Sequence, residues 1–405
     1  VSALVIVNIG ALHTMERDAQ ALVDAEVHID GDGRVRYAGA RAHAPAQEAG
    51  ATVVDAGGHA VLPGFIDCHT HLLWAGSRDA EFALRSRGAS YGEIMAAGGG
   101  IRNTMRAVRE SSDDALAALL HMRLDEMRAR GVTTVEVKSG YGLSLEHELR
   151  SLAVIARVHD EGPTDLVATC LSAHAIPPEF EGARARYVDH IVDEILPAVS
   201  ERKLARFCDV FVEQGAFTVD DGRRILTAAR SLGMHARVHA EQLSRSGGAA
   251  LAAELGAHAA GHLEFVDESD MRALADAGVV CEVLAPAQVF LGLQQRIPGR
   301  ALVDHGCTVA VATDANPGSA PSLDLHLASS LAVTMAGLTV DEALLGITKN
   351  AARALALDDR GVLTPGMHGD LVVLDTVHAG ALFASWGTNH VTHVVKAGRV
   401  VHARD

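Results

Sequence analysis

Aromatic residues are scarce in this 405-residue chain: Phe, Trp and Tyr together make up 4% of it, although 48% of residues are hydrophobic. The core must therefore be filled by Ala, Val, Leu and Gly, which suits parallel strands covered on both faces by helices. Cysteine is rare and unpatterned. Cys68, Cys170, Cys208, Cys281 and Cys307 are odd in number and form no C-x-x-C. That argues against a disulfide framework and for reduced thiols, so a cytoplasmic location is expected. Positive charge is in deficit, with a formal net charge of −16 and no run of Lys and Arg. A nucleic-acid partner is not expected. No apolar run approaches the ~18 residues of a membrane span, so no membrane partner is expected either. The first residues, from Val1, do not read as a signal peptide, so none is expected in this stretch.

What is present has an order. The first sixty residues read as short strands, among them Ala3 to Val7 and a hairpin of Glu26 to Ile29 and Arg34 to Tyr37 around DGDG. The last forty look alike: Asp370 to Asp375, then strand, turn and strand over Val391 to Val401. Between them, Val-rich runs alternate with helical stretches. In the segment Asp113 to Arg130, Leu116, Leu119, Leu120, Leu124 and Met127 share one helical face and Gly131 stops the helix. Eight strand–helix units over ~300 residues predict a (β/α)8 TIM-like barrel, with a small β-sandwich built from both termini. The expected division is 1–62 and 358–405 for the sandwich and 63–357 for the barrel. The length allows one such barrel and a small second domain. AGGGIR (97–102) does not follow a strand as G-x-G-x-x-G and reads as a turn near the mouth.

Barrels of this kind carry their chemistry at the C-terminal ends of the strands. The polar residues there are His69 and His71, then Lys138, His174, Glu213, His239, His262 and Asp314. Residues i and i+2 of a strand face the same way, so His69 and His71 point together into the mouth. Two neutral imidazoles at one point favour Zn or Fe(II). With His239 and Asp314 they would leave a position for water, whose pKa the metal lowers. Other readings compete. With 22 histidines in the chain, a single one is weak. His235 and His258 read as structural, Lys138 with Glu136 as an internal ion pair, and Glu213 as structural or functional alike.

The run PGFIDCHTH (63–71), the histidines of strands five and six, the aspartate of strand eight and the returning GDLVVLD (369–375) resemble the amidohydrolase superfamily. More narrowly, AGSRDAEF (75–82), YGEIMAAGGGIR (91–102), VEVKSGYGL (135–143), AHAIPPEF (173–180), HAEQL (239–243) and TDANPGS (313–319) resemble the imidazolonepropionase family. The resemblance implies hydrolysis of a small molecule, 4-imidazolone-5-propanoate, to N-formimidoyl-L-glutamate in histidine degradation. It implies one divalent metal ion, Zn or Fe, on His69, His71, His239 and Asp314. The fourth strand carries no Lys that could hold a second metal. It implies substrate contacts from Arg78, Tyr141, His174, Gln242, Asn316, Gly318 and Ser319, and catalytic roles for Asp314 as base, His262 at the oxyanion, and Gln242. An Arg suits a propionate tail, which it can hold by two parallel hydrogen bonds. The enzymatic alternative is a one-metal deaminase, which carries H-x-x-E where this chain reads His239-Ala-Glu-Gln242. Gln242 cannot shuttle a proton, and Glu241 should point the other way. An inactive barrel acting as a binding scaffold is the non-enzymatic alternative. A homodimer is expected of such a barrel, and the segment 75–101 reads as a lid hinged at its glycines.

Overall fold

A computed structural model describes residues 2–88 and 99–404. Eight parallel strands form the barrel: Phe65–Asp67, Val132–Lys138, Asp165–Ala173, Phe207–Val212, His235–Ala240, Ala259–His262, Val280–Val283 and Thr308–Val311. They follow one another in chain order around the sheet. The barrel is closed between the first and last strands beyond their regular pairing. Asp314 N donates to His69 O at 3.0 Å and His71 N to Ala315 O at 3.0 Å, around a parallel bridge from Thr70 to Ala315. Lower on the same seam, Thr313 Oγ1 donates to Asp67 Oδ2 at 2.6 Å. So the first strand pairs regularly only to Asp67, and the His69–His71 stretch belongs to the seam itself.

The side-chain period of two sorts each strand. In the second strand Val135 and Val137 join the core under the helices, while Glu136 and Lys138 are fully buried in ion pairs. The helix Asp113–Ala129 shows how the outer ring is made. Ser112 caps it by accepting Ala115 N, and Leu116, Leu120, Leu124 and Met127 are buried. Each such side chain contributes about 1.5–3 kcal/mol on leaving water. Gly131, at φ 91°, then turns the chain into the second strand, an angle that favours glycine.

The termini build two further sheets. Val35–Ala40, Ala25–Ile29, Leu4–Ile9 and Thr52–Asp55 form a four-stranded one. A six-stranded sheet joins Arg399–Ala403, Val391–Lys396 and Leu371–Leu374 to Ala60–Pro63, Ala11–His13 and Ala21–Leu22. They share a core of Leu4, Ile6, Val27, Ile29, Val61, Leu371, Val373 and Val395. The antiparallel pairing of Ala25–Ile29 with Val35–Ala40 is the hairpin expected around DGDG.

Candidate metal centre and active site

Three imidazoles and a carboxylate meet at the mouth of the barrel. His69 Nε2 and His71 Nε2 lie 3.1 and 3.2 Å from His239 Nε2. Asp314 Oδ1 lies 3.3 Å from His71 Nε2 and 3.7 Å from His69 Nε2. All four residues are at most 3% exposed. A tetrahedron of ligands on arms of about 2.0–2.1 Å has edges of roughly 3.3–3.4 Å, so these separations fit one divalent ion. His262 also comes close, its ligand atom falling within 4.8 Å of those of His69, His239 and Asp314. The shorter contacts to His239 and Asp314 belong to His71.

The far sides of the rings fix their tautomers. His69 Nδ1 donates to Glu282 Oε2 at 2.8 Å, and Glu282 also pairs with the buried Arg237. His239 Nδ1 lies 3.0 Å from Asp209 Oδ2, which is itself 3.0 Å from Lys138 Nζ. Lys138 completes the chain at Glu136 Oε1, 2.7 Å away. With the protons on Nδ1, both Nε2 atoms present lone pairs to the centre. Lone pairs facing one another and Asp314 Oδ1, which has no hydrogen-bond partner among the described residues, repel in a dry site, and a cation among them removes that repulsion. The titration behaviour agrees. Burial holds His69 well below the ordinary imidazole range and His239 at about 4, the latter against the pull of Asp209. Burial would raise the Asp314 carboxyl, but its contact with His71 and the nearby His262 leave it lowered. These are the protonation states that metal binding requires.

In one pair at the rim both partners are pushed up. His262 is raised, against burial, by Glu264, and burial raises Glu264. Backbone strain gathers at the same rim: Glu241, His262, Leu263 and Asp314 all have positive φ, at 52°, 77°, 71° and 55°. Non-glycine residues in that region carry a cost of about 1–3 kcal/mol each and cluster at functional sites.

The expected substrate contacts divide into two kinds. Tyr141 and His174 line one side. The His174 ring stacks on His71 at 4.9 Å and lies 5.4 Å from the Tyr141 ring, while His174 Nδ1 donates to Gly140 O at 2.9 Å. Burial pushes the Tyr141 phenol up, keeping it a hydrogen donor. Arg78 reaches the neighbouring loop after the eighth strand, its guanidinium against Gly318 and held by Glu81 at 2.8 Å. Gln242 is 8% exposed and makes no side-chain hydrogen bond among the described residues. Asn316 is different. Its amide donates to Asp314 O, Asp314 Oδ2 and Ser319 Oγ, and its Oδ1 accepts from Gly318 N and Ser319 N. Asn316 and Ser319 thus brace the loop that aims Asp314. Part of the expected lid, residues 89–98, lies outside the described residues.

Several working residues escaped the sequence reading. Glu282 and Asp209 sit mid-strand, and a charge inside an apolar run such as Val280-Cys-Glu-Val283 was the available signal. Glu148 accepts from Gly140 N, Gly142 N, Leu143 N, Ser139 Oγ and Ser172 Oγ, and so shapes the loop that carries Tyr141. Glu213, whose role the sequence left open between structural and functional, braces the loop after His239 in the same way, accepting from Leu243 N and Ser244 N. Glu241 points away from the mouth, as expected, and accepts from Gly247 N and Ala249 N at a helix start.

A barrel with this ligand set is the architecture of a metal-dependent amidohydrolase. Residues 60–401 match the amidohydrolase family model. The chain is 49% identical to the imidazolonepropionase of Myxococcus xanthus over 91% of its own length and 88% of that protein's. It is 46% identical to that of Geobacillus kaustophilus, over 87% and 83%. Among solved structures it superposes on a zinc-bound adenosine deaminase from Xanthomonas campestris with a TM-score of 0.75 at 20% identity, covering 99% of this chain and 93% of that one. The Aspergillus niger ochratoxinase gives 0.73 at 18% identity, over 100% and 96%. These two share the fold. The chain belongs to the imidazolonepropionase family of amidohydrolases.

Proposed function

We propose that the protein hydrolyses the ring amide C–N bond of 4-imidazolone-5-propanoate to give N-formimidoyl-L-glutamate, a step of histidine degradation. The observation that carries the reading is the pairing of a buried His3Asp cluster with Arg78 against the loop that follows Asp314, in a chain of this family. His69, His71, His239 and Asp314 would hold one divalent ion, and their donor set suits zinc or iron(II). Such an ion, when bound, supplies Lewis acidity toward the ring carbonyl and lowers the pKa of water.

The protein's own groups do the rest. Arg78 holds the propionate by paired, charge-assisted hydrogen bonds, and the Tyr141 hydroxyl donates to the same tail. His174, its Nδ1 committed to Gly140 O, presents Nε2 to the ring. Water adds to the carbonyl carbon, and the Asp314 carboxylate takes its proton. His262 donates to the oxygen that gains negative charge. Asp314 passes the proton to the ring nitrogen as the C–N bond breaks, leaving a new carboxylate and an open formimidoyl arm. Gln242 can hold the ring but cannot move a proton, which favours this hydrolysis over deamination. The five free and buried cysteines support work in a reducing compartment such as the cytoplasm. Among the described residues no helix is long and apolar enough to cross a membrane.

Mass spectrometry of the product tests the reading. The expected product is the imidazolone plus one water, with no ammonia released. Ammonia release from an aminated ring, with the imidazolone untouched, would sink it.

A further inference from the structure

Glu264 is the buried carboxylate that neither the metal centre nor the loop bracing uses. It is 0% exposed, and neither of its oxygens has a hydrogen-bond partner among the described residues. The neighbouring buried carboxylates all have work. Glu148 and Glu213 brace loops, Glu241 caps a helix, Asp67 holds the barrel seam, and Asp209 and Glu282 back His239 and His69. Burying a carboxylate without partners is unfavourable, and the backbone that delivers it is strained as well. The sixth strand ends in two successive left-handed residues, His262 and Leu263, and this turn brings Glu264 back to His262. Its Oε1 lies 3.8 Å from His262 Nδ1, which also has no hydrogen-bond partner among the described residues.

We infer that Glu264 is a positioning residue: it holds His262 by Nδ1, so that the ring keeps its other edge toward the reacting carbonyl oxygen. Resting on the hydrolytic reading above, the inference gives Glu264 no contact with substrate or metal ligand. It repeats at His262 the carboxylate–imidazole arrangement already present at His69 and His239, with the difference that the aligned ring serves as a donor. The gap of 3.8 Å is longer than a hydrogen bond, and closing it takes a small rotation of either side chain.

The dyad is tested in two ways on the zinc-loaded protein. In steady-state kinetics, Glu264→Gln keeps an acceptor at Nδ1 and loses the charge, whereas Glu264→Leu loses both. Losses in kcat of roughly ten- to a hundredfold are expected, larger for Leu, with KM within about twofold and zinc content unchanged. In a His262→Asn background the same changes should have little further effect, because Glu264 acts through that ring. Equal losses in both backgrounds, or native kcat in Glu264→Leu, would overturn the inference. The second test needs no turnover. In histidine 15N spectra, one protected Nδ1–H signal should vanish in both His262→Asn and Glu264→Leu. Its absence from the native spectrum rejects the dyad. If the native protein ignores the imidazolone while this signal behaves as expected, the substrate assignment fails and the dyad stands.

Discussion

The guanidinium of Arg78 occupies the space that a side chain at residue 318 would need: a Cβ on Gly318 would lie 2.2 Å from Arg78 Nη1. The residue nearest the expected carboxylate tail is therefore placed by the absence of a methyl group on the loop after Asp314. Gly318→Ala should displace the arginine tip, shifting it against its contact with Glu81, and leave the fold intact. The expected result is a KM raised by about tenfold with kcat within a few-fold of native, equivalent to ~1.4 kcal/mol of binding. An unchanged KM would show that Arg78 does not hold substrate in this pose.

Asp209 should govern metal affinity without touching the metal. Its Oδ2 faces His239 Nδ1, and Lys138 keeps a second partner in Glu136 when Asp209 is neutralised. Asp209→Asn should weaken zinc binding by roughly 10–100-fold. Competition with a chelator of known affinity measures this, and native affinity in the variant would contradict it.

Glu148 should matter for both stability and binding. It accepts three backbone N–H groups of the Tyr141 loop, each of which would be left buried and unpaired. Glu148→Leu should lower stability by about 2–4 kcal/mol in urea titration and raise KM. Native stability would show that the loop re-forms its bonds elsewhere.

His258 gives the fold a pH dependence remote from the metal. Burial first, then His235 and the arginines around it, hold it at about 4, against ~6.5 in an unfolded chain. Above ~6.5 both states are neutral and it contributes no slope. As pH falls from ~6.5 toward 4 the unfolded chain takes up the proton first, so stability is lost across that window. The difference in urea midpoint between native protein and His258→Gln, measured at pH 7.5 and 5.0, should narrow or reverse at the lower pH. A constant difference would place the group's folded titration elsewhere.

The barrel and the gathering of His69, His71, His239 and Asp314 at its mouth were legible because both rest on local rules. Strand period put His69 and His71 on one face, and strand ends put His239 and Asp314 beside them. The polar residues behind them were not legible, because they depend on pairing between strands far apart in sequence. Nothing around Glu282 says that it will meet His69, 213 residues away. Loop bracing was hidden in the same way: Asn316 reads as a ligand contact in a motif, yet its amide is engaged with Asp314, Gly318 and Ser319. The first strand also looked longer than it is. The sequence places its end at His71, but regular pairing ends at Asp67, where the buried carboxyl, raised by burial to about 7, meets Thr313 across the seam.

The most direct measurement is the loss of ultraviolet absorbance of freshly generated 4-imidazolone-5-propanoate, with metal-replete native protein beside a His69→Ala variant. Rapid decay above the spontaneous rate in the native protein, and none in the variant, is the expected result. Decay at the spontaneous rate in both, with metal shown to be bound to the native protein, would contradict it.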